Sequence, residues 1–107
     1  LVDRPLARST HFYVLGSIDA ARPAQAIVAP DRHVVTPFEL TPDEWSDMGA
    51  ALGLVREHLA PFLPDGFTMG WNVGAVAGQD IFHAHLHVIA RFAGEPSEGR
   101  GLHAALR

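Results

Sequence analysis

The chain has 107 residues, 12 acidic against eight basic side chains and a formal charge of −4, a size that holds one domain whose core buries somewhat under ~70% of the unfolded surface. Apolar residues at 48% and charged residues at 19% exclude a disordered chain, and no Lys/Arg cluster marks a nucleic-acid surface. The absence of Cys excludes disulfides and thiolate metal sites, and no apolar run approaches the ~20 residues that span a bilayer.

Residues 1–10 read as an irregular or edge lead-in. His11-Phe12-Tyr13-Val14-Leu15 is a strand ended by Gly16-Ser17, and Gln25-Ala26-Ile27-Val28-Ala29 is a second, stopped by Pro30-Asp31. Asp19 to Pro23 forms the loop between them. Thr41-Pro42-Asp43-Glu44 carries a capping box, Pro at the first helical position and acids at the positive end of the helix dipole. Trp45, Met48, Leu52, Val55 and Leu59 then recur at three- and four-residue steps, which predicts one helix with this stripe in the core. Pro61, Pro64 and Asp65-Gly66 close it.

From Phe67 to Val73 the large residues Phe67, Met69, Trp71 and Val73 share one strand face, and Thr68, Gly70 and Asn72 the other. A loop from Gly74 through Gln79 and Asp80 leads to a last predicted strand, Ile81–Phe92. There Ala84, Leu86, Val88 and Ala90 alternate with His83, His85, His87 and Ile89. The pattern predicts an antiparallel sheet with the helix on one face and three imidazoles on the other, beside a small, polar neighbouring strand.

Three same-face imidazoles on an ideal strand form a line about 13 Å long. Three explanations compete. One is a polar sheet face that happens to be rich in His, an uncommon residue. A second is zinc held by two alternate histidines with His33 or Asp80 as a third ligand. The third is catalysis: a neutral imidazole attacks phosphorus well, neighbouring imidazoles can donate to phosphate or leaving group, and their charge keeps the attacking ring neutral.

His83-Ala84-His85-Leu86-His87-Val88-Ile89 resembles the His-φ-His-φ-His-φ-φ signature of the histidine-triad (HIT) family, φ being apolar. Gly78-Gln79 resembles the turn that precedes that signature. Asn72 lies eleven residues before His83, where Hint-type members carry Asn and fragile-histidine-triad hydrolases carry Gln. Ile27 to His33 is similar to the family's strand ending in Pro-x-x-His, and Leu40 to Glu44 to the start of its long helix. The resemblance covers residues 11–92 of a single domain, 1–107, with 93–107 as a tail.

The resemblance implies an α+β fold with a five-stranded antiparallel sheet, one long helix and a short helix or loop, in a two-fold homodimer. It implies a nucleotide hydrolase or transferase that needs no cofactor and no catalytic metal. His85 would attack the α-phosphorus of a purine nucleotide conjugate to give a nucleotidyl-histidine. His83 would orient it, His87 would contact phosphate or leaving group, and Asn72 would donate near the scissile bond. Donors around Gln79 would hold phosphate oxygens. Dinucleoside polyphosphate hydrolysis and nucleotide binding without turnover are the alternatives.

Three positions depart from the family pattern. Gln25 stands where a fourth histidine is common, Ser17 where Asp or Asn meets the ribose (Asp19 is the nearby substitute), and Asp80 where Ser or Thr faces phosphate. His33 reads as a turn residue, and His11, His58 and His103 as surface or packing residues. The expected partner is a nucleotide substrate, with no nucleic acid and no membrane, and the expected location is the cytoplasm.

Overall fold

Five short strands and one long helix build the fold: β1 (Ala7–Arg8), β2 (Phe12–Gly16), β3 (Gln25–Pro30), α1 (Pro42–Leu59), β4 (Gly66–Trp71) and β5 (Leu86–Arg91). This computed structural model describes residues 5–17 and 24–102. Asp19, the rest of the expected loop through Pro23, and His103 lie outside them. Single 3₁₀ turns at Pro37–Glu39, Ala60–Phe62 and Ala75–Ala77 are the short helical pieces.

The sheet runs in the order β1-β2-β3-β5-β4, and every neighbour is antiparallel. Its registers place Val14 opposite Val28, Val28 opposite Leu86 and Ala26 opposite Val88. These apolar side chains therefore share one face, where they are buried with Phe12 and Ala90. Burying them is the main driving force for the fold. The alternate residues, among them Ile27, His87 and Gly70, line the opposite face.

The helix begins where the capping box predicts. Thr41 Oγ1 accepts from the Glu44 amide at 3.1 Å, and Glu44 Oε1 accepts from the Thr41 amide at 2.8 Å. Its buried row is Glu44, Met48, Ala51, Val55 and Leu59, which corrects the expected stripe at its first turn. Trp45 is 48% exposed, and Glu44 takes its place in the buried row with its acid paired to Arg32. Leu52 is only half-buried.

Helix α1 packs on β2 and β3 and leaves the edge strand β4 partly uncovered. Phe67 is 38% and Met69 46% exposed. They flank a groove of about 340 Å³ shared with Leu52, Val55, Arg56 and Val88.

The last strand is shorter than expected. It starts at Leu86 rather than Ile81, so His83 and His85 precede it and only His87 lies in the ladder. The Ala84 amide still donates to Val34 O at 2.8 Å. The carbonyl of His83, however, accepts from the ring of His85, and strand pairing begins only at Leu86.

Candidate active site

The site is assembled at the end of β3. After Pro30 the chain is held by Arg32, whose guanidinium bonds Glu44 at 2.8 and 3.2 Å and the Glu39 carbonyl at 2.8 Å. Those bonds, with the capping box, hold the Glu44 carboxyl down at about 2. This clamp fixes the segment that carries His33. The ring of His33 faces His83, their Nδ1 atoms 3.2 Å apart.

The three triad imidazoles are oriented differently. His83 Nε2 lies 2.8 Å from the Pro30 carbonyl, and His85 Nδ1 lies 2.8 Å from the His83 carbonyl. A carbonyl oxygen only accepts, so both nitrogens carry hydrogen. Neutral His85 therefore has its lone pair on Nε2, the outer ring nitrogen, on a side chain only 8% exposed. A buried ring held in one tautomer is prepared to act as a nucleophile.

His87 packs edge-on to His85 with ring centroids 4.8 Å apart, closer than the rise of an ideal strand places alternate residues. It lies opposite Gly70 on β4 and Ile27 on β3. Burial, together with the charge of His85, lowers its pKa from the usual value, and Asp80 opposes that shift. Its Nε2 is buried without a hydrogen-bond partner. An orphaned polar atom in this position is what a site awaiting a polar ligand leaves behind.

A cavity of about 240 Å³ opens beside His87, walled by Gly70, Asn72, Ile89 and Leu102. A Cβ at Gly70 would stand 3.1 Å from Leu102 Cδ2, so a larger residue there would press on the Leu102 side chain. Leu102 is brought across by Arg91, which binds Thr68 Oγ1 at 2.8 Å and the carbonyls of Ser97 and Arg100 at 2.7 Å each.

Asn72 lies over Gly78 and so joins β4 to the loop before the triad. Within that loop Gln79 is buried. Its Oε1 accepts from the Gly74 amide at 2.8 Å, and its Nε2 donates to the carbonyls of Val35 at 2.7 Å and Ile81 at 3.2 Å. Both amide hydrogens are committed, so Gln79 braces the loop. Asp80 follows, exposed. Gln25, opposite Ile89 on the ligand face, donates to Ser17 Oγ at 3.2 Å.

The structure thus gathers His83, His85, His87, Asn72 and the Gln79–Asp80 turn, with the Ser17–Gln25 pair further along the same face. The zinc arrangement finds no support in the ligand geometry. Among the described residues no three His, Asp or Glu side chains gather closely enough to hold a metal ion. His33, weighed as a zinc ligand but read as a turn residue, instead stands against His83, and Leu102 at the cavity was signalled by nothing local.

Comparison with known proteins agrees with this geometry. The HIT domain family matches residues 4–94. A bis(5'-adenosyl)-triphosphatase of Dictyostelium discoideum is 31% identical over 83 residues, which are 74% of this chain and 54% of that protein. The bifunctional bis(5'-adenosyl)-triphosphatase/adenylylsulfatase of Arabidopsis thaliana is 30% identical over 88% of this chain and 53% of its own length. The chain therefore spans about half the length of these two relatives. A HIT family protein from Bacillus anthracis superposes with a TM-score of 0.75 at 28% identity, covering 88% of this chain and 67% of that one. A Bacillus subtilis member of the family shares the fold with a TM-score of 0.74 at 23% identity, over 88% and 67% of the two chains. With the triad, the sheet order and the matched span in agreement, the chain belongs to the HIT domain family.

Proposed function

We propose that the protein is a nucleotide hydrolase or transferase that works through a covalent nucleotidyl-histidine at His85. The observation that carries this reading is the bond from His85 Nδ1 to the His83 carbonyl, which leaves Nε2 as the free nucleophile. In the first step Nε2 bonds to the α-phosphorus as the bond from phosphorus to the leaving group breaks, and the leaving group takes up a proton. In the second, water attacks phosphorus, the bond to Nε2 breaks and one proton is released.

His87, whose Nε2 has no protein partner, contacts the phosphate or leaving group from the cavity side, and Asn72 donates near the scissile bond. The loop braced by Gln79 presents donors to the phosphate oxygens. Asp80 flanks that loop as a tuning charge on His87. Ser17 and Gln25 contact the nucleoside end. The names of the relatives, bis(5'-adenosyl)-triphosphatases, support a dinucleoside polyphosphate as one substrate class. Asn72 favours a purine nucleoside phosphoramidate as the other. The working unit is a two-fold dimer joined through the β4 edge, for which the half-exposed Phe67 and Met69 speak.

The test offers an adenosine phosphoramidate and a dinucleoside polyphosphate to the wild type and to His85→Gly. Loss of the nucleophile should reduce kcat/KM about a thousandfold or more and abolish an acid-labile adenylyl adduct. Equal turnover by the variant would remove the covalent mechanism. Binding of AMP by a wild type that never forms the adduct would favour a binding module.

A further inference from the structure

Two imidazoles whose Nδ1 atoms face each other at 3.2 Å need one hydrogen between them, and only one. His83 Nε2 already donates to the Pro30 carbonyl, so neutral His83 has its lone pair on Nδ1. His33 must then donate from its own Nδ1, which leaves the lone pair of His33 on Nε2, on an exposed ring. A hydrogen on both Nδ1 atoms would set two donors against each other. In this arrangement the pair has room for one further proton before two donors oppose each other.

We propose that His33 and His83 form a one-proton relay that loads positive charge beside the nucleophile, with His33 as a positioning residue acting through His83. A proton from solvent adds to His33 Nε2, the His33 Nδ1–H bond breaks, and a new N–H bond forms at His83 Nδ1. His33 returns to neutrality, and the charge rests on His83, whose carbonyl holds His85 Nδ1–H. A cation there disfavours a proton on His85 and attracts an anionic phosphate. The functional half of this inference rests on the phosphoryl chemistry proposed above, whereas the relay itself does not.

The surroundings leave that charge unneutralised. The Tyr13 ring of β2 lies tilted 6.4 Å from His83, with its phenol kept protonated chiefly by burial. Arg8 covers Tyr13 at 5.6 Å and is itself paired with Asp31 at 2.8 Å. Arg32, next to His33, is occupied by Glu44 and the Glu39 carbonyl. Among the described residues no carboxylate hydrogen-bonds either ring of the pair.

Ring-nitrogen NMR of the free protein tests the relay without any substrate. The expected result at high pH is His83 with hydrogen on Nε2 and His33 with hydrogen on Nδ1. As pH falls, one proton should be taken up jointly by both rings. In turnover, His33→Leu should lower kcat/KM for adenosine phosphoramidate about tenfold, the equivalent of one neutral hydrogen bond, and erase one limb of the pH profile. His33→Asn, whose amide can donate in place of Nδ1, should restore the His83 tautomer and bring kcat/KM back to within about threefold, yet still lack that limb.

Hydrogen on Nδ1 of His83 at high pH, two independent protonations, or an unchanged profile in His33→Leu would each overturn the proposal. A His33→Leu variant that fails to melt cooperatively hands the decision to His33→Asn, whose retained limb would equally overturn it. A normal NMR result with no turnover of either substrate would refute the proposed function and leave the relay standing.

Discussion

At the scale of single residues, the alternation of His83, His85 and His87 was readable because polar residues on a ligand face break an otherwise apolar run. Their hydrogen bonds were not readable. The acceptor for His85 is a backbone carbonyl two residues away, and carbonyls carry no sequence signal. Gln79 shows the same limit, since its three bonds reach residues as distant as Val35, and only the fold reveals that its side chain is spent. Asp80 is the residue whose charge acts on His87, opposing the fall in its pKa. Replacing Asp80 with Asn should lower the His87 pKa further, which NMR titration of its ring protons would register. A His held below its usual value contributes stability above that value and loses it as pH falls, so Asp80→Asn should also steepen the acid loss of stability below about pH 6.5. An unchanged His87 titration would show that Asp80 turns away from the site in solution.

At the scale of elements, the start of α1 was legible to the residue, because Thr41, Pro42 and Glu44 are local signals for a local structure. The face it buries was legible only from Met48 onward. Periodicity treats Trp45 as core and Glu44 as surface, whereas the structure buries the acid against Arg32, a partner twelve residues upstream. Glu44 has a folded pKa of about 2 against an ordinary 4.5. Its contribution is therefore complete above pH 4.5 and disappears as pH falls toward 2. Glu44→Gln should lower stability at neutral pH by about 1.5–3 kcal/mol, the range for hydrogen bonds to a charged group. Denaturant melts of the two proteins should converge near pH 2. Parallel curves across that range would show that the Arg32 clamp adds nothing. β5 was misjudged for a related reason: alternation continues through His83 and His85, but it carries no signal for where the partner strands stop pairing, which is at Leu86.

At the scale of the whole molecule, the long helix and the two-sided antiparallel sheet followed from patterning, because each element is hydrophobic on the face it turns to its neighbours, whereas the strand order β1-β2-β3-β5-β4 carried no signal in it. The uncovered part of that face was not legible. Phe67 and Met69 look like core in sequence, and they would be if α1 reached over β4. Placed at an edge strand beside a groove, they support the proposed dimer. Met69→Lys should shift the protein toward a monomer in sedimentation equilibrium while the far-UV spectrum stays native. A variant that sediments as the wild type would move the interface elsewhere. The bonds of Arg91 to the segment beyond β5 have a practical consequence, since they set Leu102 against the cavity beside His87. A ranking of substrates by the bulk they place against that wall therefore reads the bonds of Arg91 as much as the histidines.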